Sequence, residues 1–251
     1  MFIDRRRQTA AWFSQRSQIK SIFERHSIDL VIDVGANTGQ FARGLRSHFN
    51  GEILSFEPVS DVFKGLQRAS ATDSKWQVVN MALGSSACER QIRVSSQSEL
   101  SSFLVVSKYG TDRFGDRTAT VREELISVRR LDQILGDFVP DYRSRKIFLK
   151  MDTQGFDSEV FVGATGVLDR IEAIQSEVSL IPIYEGMGHW TETISLYERS
   201  GFAVAGMFPI TGDTSRRVIE YDCLLTKPLV SATAVRNDHP TPFCGLPAAT
   251  R

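Results

Sequence analysis

The chain has 251 residues, 41% of them hydrophobic, enough to bury a sizeable core as one large domain or two small ones. Its 30 basic and 30 acidic residues cancel, so nothing in the balance points to nucleic acid or a strongly charged partner. No apolar run is long enough to span a bilayer, and no apolar core of about 7–15 residues follows Arg5-Arg6-Arg7, so a secretory signal is not expected. Cys88, Cys223 and Cys244 are scattered, odd in number and lack a C-x-x-C pair. That fits a reducing, cytoplasmic setting better than a disulfide framework or a zinc site.

Residues 9–27 carry Trp12, Phe13, Ile19, Ile22 and Phe23 among polar residues. This is an amphipathic helix, to be packed on a sheet edge or used as a lid or dimer contact. Leu30-Val31-Ile32-Asp33-Val34 then reads as a buried parallel strand. It breaks at Gly35-Ala36-Asn37-Thr38-Gly39, and Gln40 to Phe49 follows with helical spacing. Asn37, with Gln40 three residues on, is the expected cap, leaving helix amides free to face a carboxylate or phosphate. The D-x-G-x-x-x-G spacing is not the G-x-G-x-x-G of a dinucleotide site. An acid at the strand's end suits a ligand with both an ammonium and a carboxylate, such as S-adenosylmethionine.

Glu52 to Pro58 is a second strand ending in an acid, after which Ser60-Asp61 should cap a helix that buries Val62, Phe63 and Leu66. Glu57 lies 22 residues beyond Gly35, close to the ~20-residue offset at which an acid accepts ribose hydroxyls in nucleotide-binding α/β sheets. Trp76 to Val79 is a third strand, and Met81 and Ala82 at its exit should border the adenine. Residues 85–128 break the βα rhythm, with short strands at 90–94 and 125–128 around the serine-rich segment 95–102. That insertion reads either as a substrate-facing flap or as an ordinary surface loop.

A short helix at 131–135 precedes a fourth strand, Ile147 to Asp152. A helix over 157–168, a fifth strand at 171–178 with Glu177 near its end, and a helix from about 190 to 200 follow. Two last strands, about 202–208 and 218–226, are joined by too few residues for a crossover and must pair antiparallel. Residues 229–251 hold Pro240, Pro242 and Pro247 without periodicity and read as a tail.

Asp152 and Glu177 end neighbouring strands and open into one cleft. Either could act as general base, or both could hold a Mg²⁺. Asp152 could instead hold the cofactor's amino group. His189, after the glycines flanking Met187, is a third candidate base or else a helix cap.

The motifs Val31 to Gly39, Phe56-Glu57-Pro58, Asn80 to Gly84, Leu149 to Gly155 and Gly201-Phe202 together resemble the FkbM family of S-adenosylmethionine-dependent methyltransferases. The resemblance implies a class I methyltransferase fold. This is a three-layer, doubly wound Rossmann-like α/β sheet, mostly parallel, of about seven strands with a C-terminal antiparallel hairpin. Residues 29–228 would form that domain, after an N-terminal helical extension at 1–28 and before the tail. It implies S-adenosylmethionine held by Asp33, Gly35, Asn37, Thr38, Gly39, Glu57, Pro58, Met81, Ala82, Ser101 and Asp152. It also implies methylation of a hydroxyl on a sugar, glycolipid or other secondary metabolite. Peripheral membrane contact and a homodimer are left open. Many relatives carry an acid where this chain has Gln154 or Asp157, which argues against a catalytic Gln154. The rival readings are an NAD(P)-dependent oxidoreductase, disfavoured by the glycine spacing and the terminal hairpin, and a non-catalytic member that keeps the pocket.

Overall fold

The computed structural model describes residues 5–213, 215 and 217–229; Cys244, His239 and the proline-containing segment lie outside them. Its elements in chain order are α1 (Arg5–His26), β1 (Leu30–Val34), α2 (Gln40–Leu45), β2 (Glu52–Phe56), α3 (Ser60–Ser70) and β3 (Trp76–Val79). Next come β4 (Ala82–Leu83), β5 (Cys88–Ser95), α4 (Lys108–Phe114), β6 (Thr120–Arg129), α5 (Leu131–Phe138) and β7 (Ile147–Met151). The described chain closes with α6 (Asp157–Gly163), β8 (Ile171–Ser179), α7 (Trp190–Arg199), β9 (Ala203–Gly212) and β10 (Val218–Thr226).

Seven strands form one sheet in the order β3-β2-β1-β7-β8-β10-β9. The first five are parallel, and β10 enters antiparallel between β8 and β9. The expected architecture and the C-terminal hairpin are therefore present. Strand order reverses between β1 and β7, the switch point at which such sheets open a crevice beyond their carboxyl ends.

β1 and β7 are buried along their whole length, apolar except for Asp33 and Lys150. One face carries Ile32, Leu149, Ile174 and Leu225 and is covered by Leu135 of α5, Phe161 of α6 and Tyr197 of α7. The opposite face carries Val31, Phe148, Ala173 and Leu224 beneath Ile19, Ile22 and Phe23 of α1, Leu45 of α2 and Leu66 of α3. Two layers of helices thus sandwich the sheet.

Residues 85–128 do form strands of their own. A second sheet, β4-β6-β5, packs Ile92, Val94, Ile126 and Val128 onto the main core. Between β5 and α4, residues 97–103 turn back toward the carboxyl edge of the main sheet and line the cavity there.

Three local expectations need correction. The helix after the first strand stops at Leu45 rather than running to Phe49. Arg46 folds back and donates to the carbonyls of Phe49 (3.2 Å), Gly51 (2.7 Å) and Lys75 (3.0 Å), closing a turn in place of another helical turn. The α3 cap is Val59, not Ser60 or Asp61; its first amides are taken by carboxylates, Val59 by the neighbouring Glu57 (2.8 Å) and Ser60 by the distant Glu124 (3.0 Å). The helix from Asp157 ends at Gly163, packed against the chain leaving β4, and the chain tightens into a 3-10 turn at Thr165–Val167.

At Gly163 a β-carbon would lie 2.1 Å from the carbonyl oxygen of Gly84. We expect Gly163→Ala to lower unfolding free energy by about 1–3 kcal/mol, the range for overpacking, as measured by urea denaturation.

Candidate active site

The α1-facing side of the sheet changes character along its strands. Side chains alternate between faces along a strand, so Val31 and Asp33 share this side, as do Phe148, Lys150 and Asp152. Ala173, Gln175 and Glu177 of β8, and Leu224, Asp222 and Glu220 of β10, do the same. Register then aligns them: Asp33 lies opposite Lys150, Lys150 opposite Gln175, and Glu177 opposite Asp222. Apolar rows thus give way to a polar shelf at the carboxyl edge.

Lys150 is the centre of that shelf. Its ammonium lies 3.1 Å from Asp33 Oδ1 and 3.4 Å from Asp152 Oδ2, and it donates to the Gly35 carbonyl (3.3 Å). Burial by itself would favour the neutral amine, but Asp33 and Asp152 outweigh it and hold the ammonium above the usual lysine range. Asp33 is wholly buried, and Ser55 Oγ donates to it (3.4 Å) while accepting from Trp76 Nε1 (2.9 Å). Asp33, expected to grip a ligand's ammonium, instead lies below the cavity wall and takes the chain's own ammonium.

Gly35, with φ of +73°, makes the sharp exit from β1; a β-carbon there would sit 2.0 Å from the Asp152 carbonyl oxygen. The loop that follows is not the free amide cradle expected. Gly35 and Ala36 N–H both donate to Phe56 O (3.0 Å each), Asn37 N–H to Glu57 Oε2 (2.9 Å), and Gly39 N–H to Ala36 O (2.8 Å). Thr38 N–H donates to Asn37 Oδ1 (2.7 Å), and the helix cap is Gly39 in a left-handed conformation. Asn37 therefore closes the loop on itself rather than capping α2. A pyrophosphate would find these amides already committed, which weighs against a dinucleotide.

Glu57 is 5% exposed, and its two oxygens accept the amides of Asn37 and Val59. Burial pushes its carboxyl up to about 7 in spite of these two hydrogen bonds. Gly35, Asn37, Glu57, Pro58, Met81, Ala82, Ser101, Asp152 and Glu177 all line one cavity of about 490 Å³. Thr38 and Gly39 do not; at Gly39 a β-carbon would lie 2.6 Å from the Trp76 ring.

Asp152 and Glu177 meet as the sequence implied, but through a residue set aside there. Gln154, at φ of +51°, donates from Nε2 to both Asp152 Oδ1 (3.2 Å) and Glu177 Oε2 (2.8 Å). The Tyr184 hydroxyl donates to Gln154 Oε1 (2.8 Å), which fixes the amide's orientation. An amide thus bridges the two carboxylates where a Mg²⁺ was considered. Among the described residues no three His, Cys, Asp or Glu gather as a metal-binding group. Burial, followed by Glu220 and Asp152, pushes Glu177 well above the usual carboxylate range.

His189 is not in the cavity wall. It is exposed and caps α7, its ring accepting from Thr191 N–H. Asp157 is likewise structural: it accepts from Thr153 N–H (2.8 Å), Ser176 Oγ (2.8 Å) and Glu177 N–H (3.0 Å), tying α6 to β8. The sequence reading missed Lys150, Gln175, Glu220 and Asp222, for which alternation along β7, β8 and β10 toward a strand end was the available signal. It also missed the wall that α1 supplies through Trp12, Gln15, Arg16 and Ile19, a role nearest to the lid reading of that helix.

The sequence profile described as the methyltransferase FkbM domain matches residues 33–204. The chain belongs to the FkbM methyltransferase family. It is an S-adenosylmethionine-dependent methyltransferase of class I fold. Similar solved structures include magnesium protoporphyrin IX methyltransferase from Synechocystis with bound S-adenosylmethionine, at 6% identity, TM-score 0.46, covering 91% of this chain and 85% of that one. Another is precorrin-6y C5,15-methyltransferase from Geobacter metallireducens, at 10% identity, TM-score 0.44, covering 85% and 87%. No curated protein matches the chain. No helix among the described residues is long and apolar enough to cross a membrane.

Two outcomes follow for this FkbM methyltransferase. Lys150→Met should cost about 3–5 kcal/mol in denaturant unfolding by stranding the Asp33 charge, and adding Asp33→Asn should recover part of that loss. The second concerns pH. Glu57 has a raised pKa in the native state, so the native state binds the extra proton and stability falls as pH rises from about 4.5 through about 7, then levels. Calorimetric unfolding should show a shallower decline in Glu57→Gln.

Proposed function

We propose that this methyltransferase acts on a hydroxyl group of a sugar, glycolipid or other secondary metabolite, with Asp152 as the general base. The observation that carries the reading is the Asp152–Gln154–Glu177 bridge on the cavity wall. A hydroxyl is a poor nucleophile until its proton is taken, and a placed base is worth a factor of about 10²–10⁴. Asp152 is 45% exposed, its Oδ1 is oriented by Gln154, and the Lys150 ammonium balances its charge. Burial holds the Glu177 carboxyl well above the usual carboxylate range, so it serves better as Gln154's second anchor than as the base.

A cavity of about 490 Å³ falls within the range of small-molecule sites, and the donor set suits S-adenosylmethionine. That molecule supplies the activated methyl group. Glu57 would accept the two ribose hydroxyls, with Gly35, Asn37, Pro58 and Ser101 around it. Met81 and Ala82 would contact the adenine. Lys150 and Asp152 present opposite charges side by side, which complements an amino acid end carrying a carboxylate and an ammonium. Asp33 then contributes through Lys150 rather than by contact. The residues 97–103 and α1 would exclude water and hold the acceptor against Asp152, since positioning carries much of the barrier reduction in such a displacement.

The test is mass spectrometry of a panel of sugars, glycolipids and hydroxylated natural products incubated with enzyme and S-adenosylmethionine. The expected product carries one added methyl on oxygen, located by fragmentation; transfer to nitrogen or carbon only, or none, overturns the reading. With the accepted substrate, Asp152→Asn should lower kcat by about 10²–10⁴, a loss that persists at saturating S-adenosylmethionine and so exceeds any weakening of cofactor binding.

A further inference from the structure

Beyond Asp152 the cavity continues along β8 and β10 to a wall formed by Gln175, Glu177, Glu220 and Asp222, with Gln15 of α1 and Thr211 of β9 above it. Every hydrogen bond recorded for these carboxylates comes from a neutral group. Asp222 accepts from Gln15 Nε2 (2.9 Å) and Gln175 Nε2 (3.1 Å). Glu220 accepts from Thr211 Oγ1 (2.8 Å) and Ser179 Oγ (3.4 Å), and Glu177 from Gln154 Nε2. The nearby cation, Lys150, is already shared by Asp33 and Asp152.

A second observation points to a ligand. Gln175 is 5% exposed and lines the cavity, its amide orientation set by the bond to Asp222, yet its Oε1 has no hydrogen-bond partner. A buried acceptor of this kind costs free energy until a donor reaches it. The wall therefore offers acceptors and negative charge, and what completes it must bring N–H or O–H donors and positive charge. The carboxylates do not converge on a point as a metal-binding group, so an extended organic donor fits better than an ion.

We propose that this wall is an acceptor subsite for a protonated amine, making the substrate an amino sugar or amino alcohol whose neighbouring hydroxyl is presented to Asp152. The inference rests on the hydroxyl-methylation reading above and names the class of acceptor within it. The state of the wall agrees with it. Burial first, and then the facing Asp152, push Glu220 up to about 7, while burial pushes Asp222 up to about 6. Lys150 of β7, Asp152 just beyond it, Gln175, Glu177 and Ser179 from β8, Gln15 from α1 and Thr211 from β9 are charged and polar groups that face them. An arriving ammonium would favour the ionised carboxylates, so its binding should release protons.

The experiment is calorimetric titration of the S-adenosylhomocysteine-saturated enzyme with glucosamine, N-acetylglucosamine and glucose, in two buffers of different ionisation enthalpy. Glucosamine should bind at least about tenfold more tightly than either neutral sugar, with proton release. The gap should close in Glu220→Gln and Asp222→Asn, while S-adenosylhomocysteine affinity, measured on the same samples, shows that the fold and donor site are intact. Equal affinities, a gap untouched by both substitutions, or no detectable glucosamine binding would overturn the subsite. These failures are separable from failure of the functional reading. Methyl transfer to oxygen of neutral sugars would preserve that reading while removing the amine, and loss of S-adenosylhomocysteine binding would remove the donor site itself.

Discussion

The buried ammonium of Lys150 is the constraint around which the rest of the site is arranged. A lysine inside a sheet is costly unless its charge is matched, and here it is matched by Asp33 across the strand pair and Asp152 two residues along. The pairing links β1 to β7 at the point where the strand order reverses. It also marks the border between the apolar part of the α1-facing side and the polar shelf. Below it, Val31, Phe148, Ala173 and Leu224 pack under α1; above it, almost every inward side chain is an acid or an amide.

This arrangement separates two jobs that a linear motif runs together. Asp33 and Gly35 belong to one signature, but Asp33 supports Lys150 from beneath while Gly35 lets the chain turn close against Asp152. The cavity is lined by residues further along as well: Glu57 after β2, Met81 and Ala82 after β3, and Ser101 in the inserted segment. Glu57 also accepts the amides of Asn37 and Val59, so one carboxylate fixes both the glycine loop and the entry to α3. Losing it would loosen two elements at once, which is why its effect on stability and its effect on ligand binding need separate measurement.

Acid enrichment at the far end of the cavity has its own logic. Glu177, Glu220 and Asp222 come from two strands, and their mutual repulsion is tempered by amides and hydroxyls rather than by ion pairs. Burial keeps the protons of these three carboxylates toward neutrality, and an arriving cation would favour their release. A surface tuned like this favours the loaded state over the empty one.

How much of this was legible from the residues follows from the range of the forces. Short-range features read well: the apolar runs of β1 and β7, the strand-ending acids Asp33, Glu57, Asp152 and Glu177, and the antiparallel closing pair all depend on local alternation and turn length. The motif resemblance placed the family for the same reason, since its segments are contiguous. What alternation could not supply was partnership. That Asp33 faces Lys150, that Gln154 reaches across to Glu177, and that α1 closes the wall beside Asp222 are consequences of how segments distant along the chain pack together. The chain by itself thus determined which residues would be buried strands and which acids would stand at their tips. Only the packed sheet decided which acids neutralise a lysine and which line the cavity without a cation beside them, because a charge's role depends on its nearest neighbours in space.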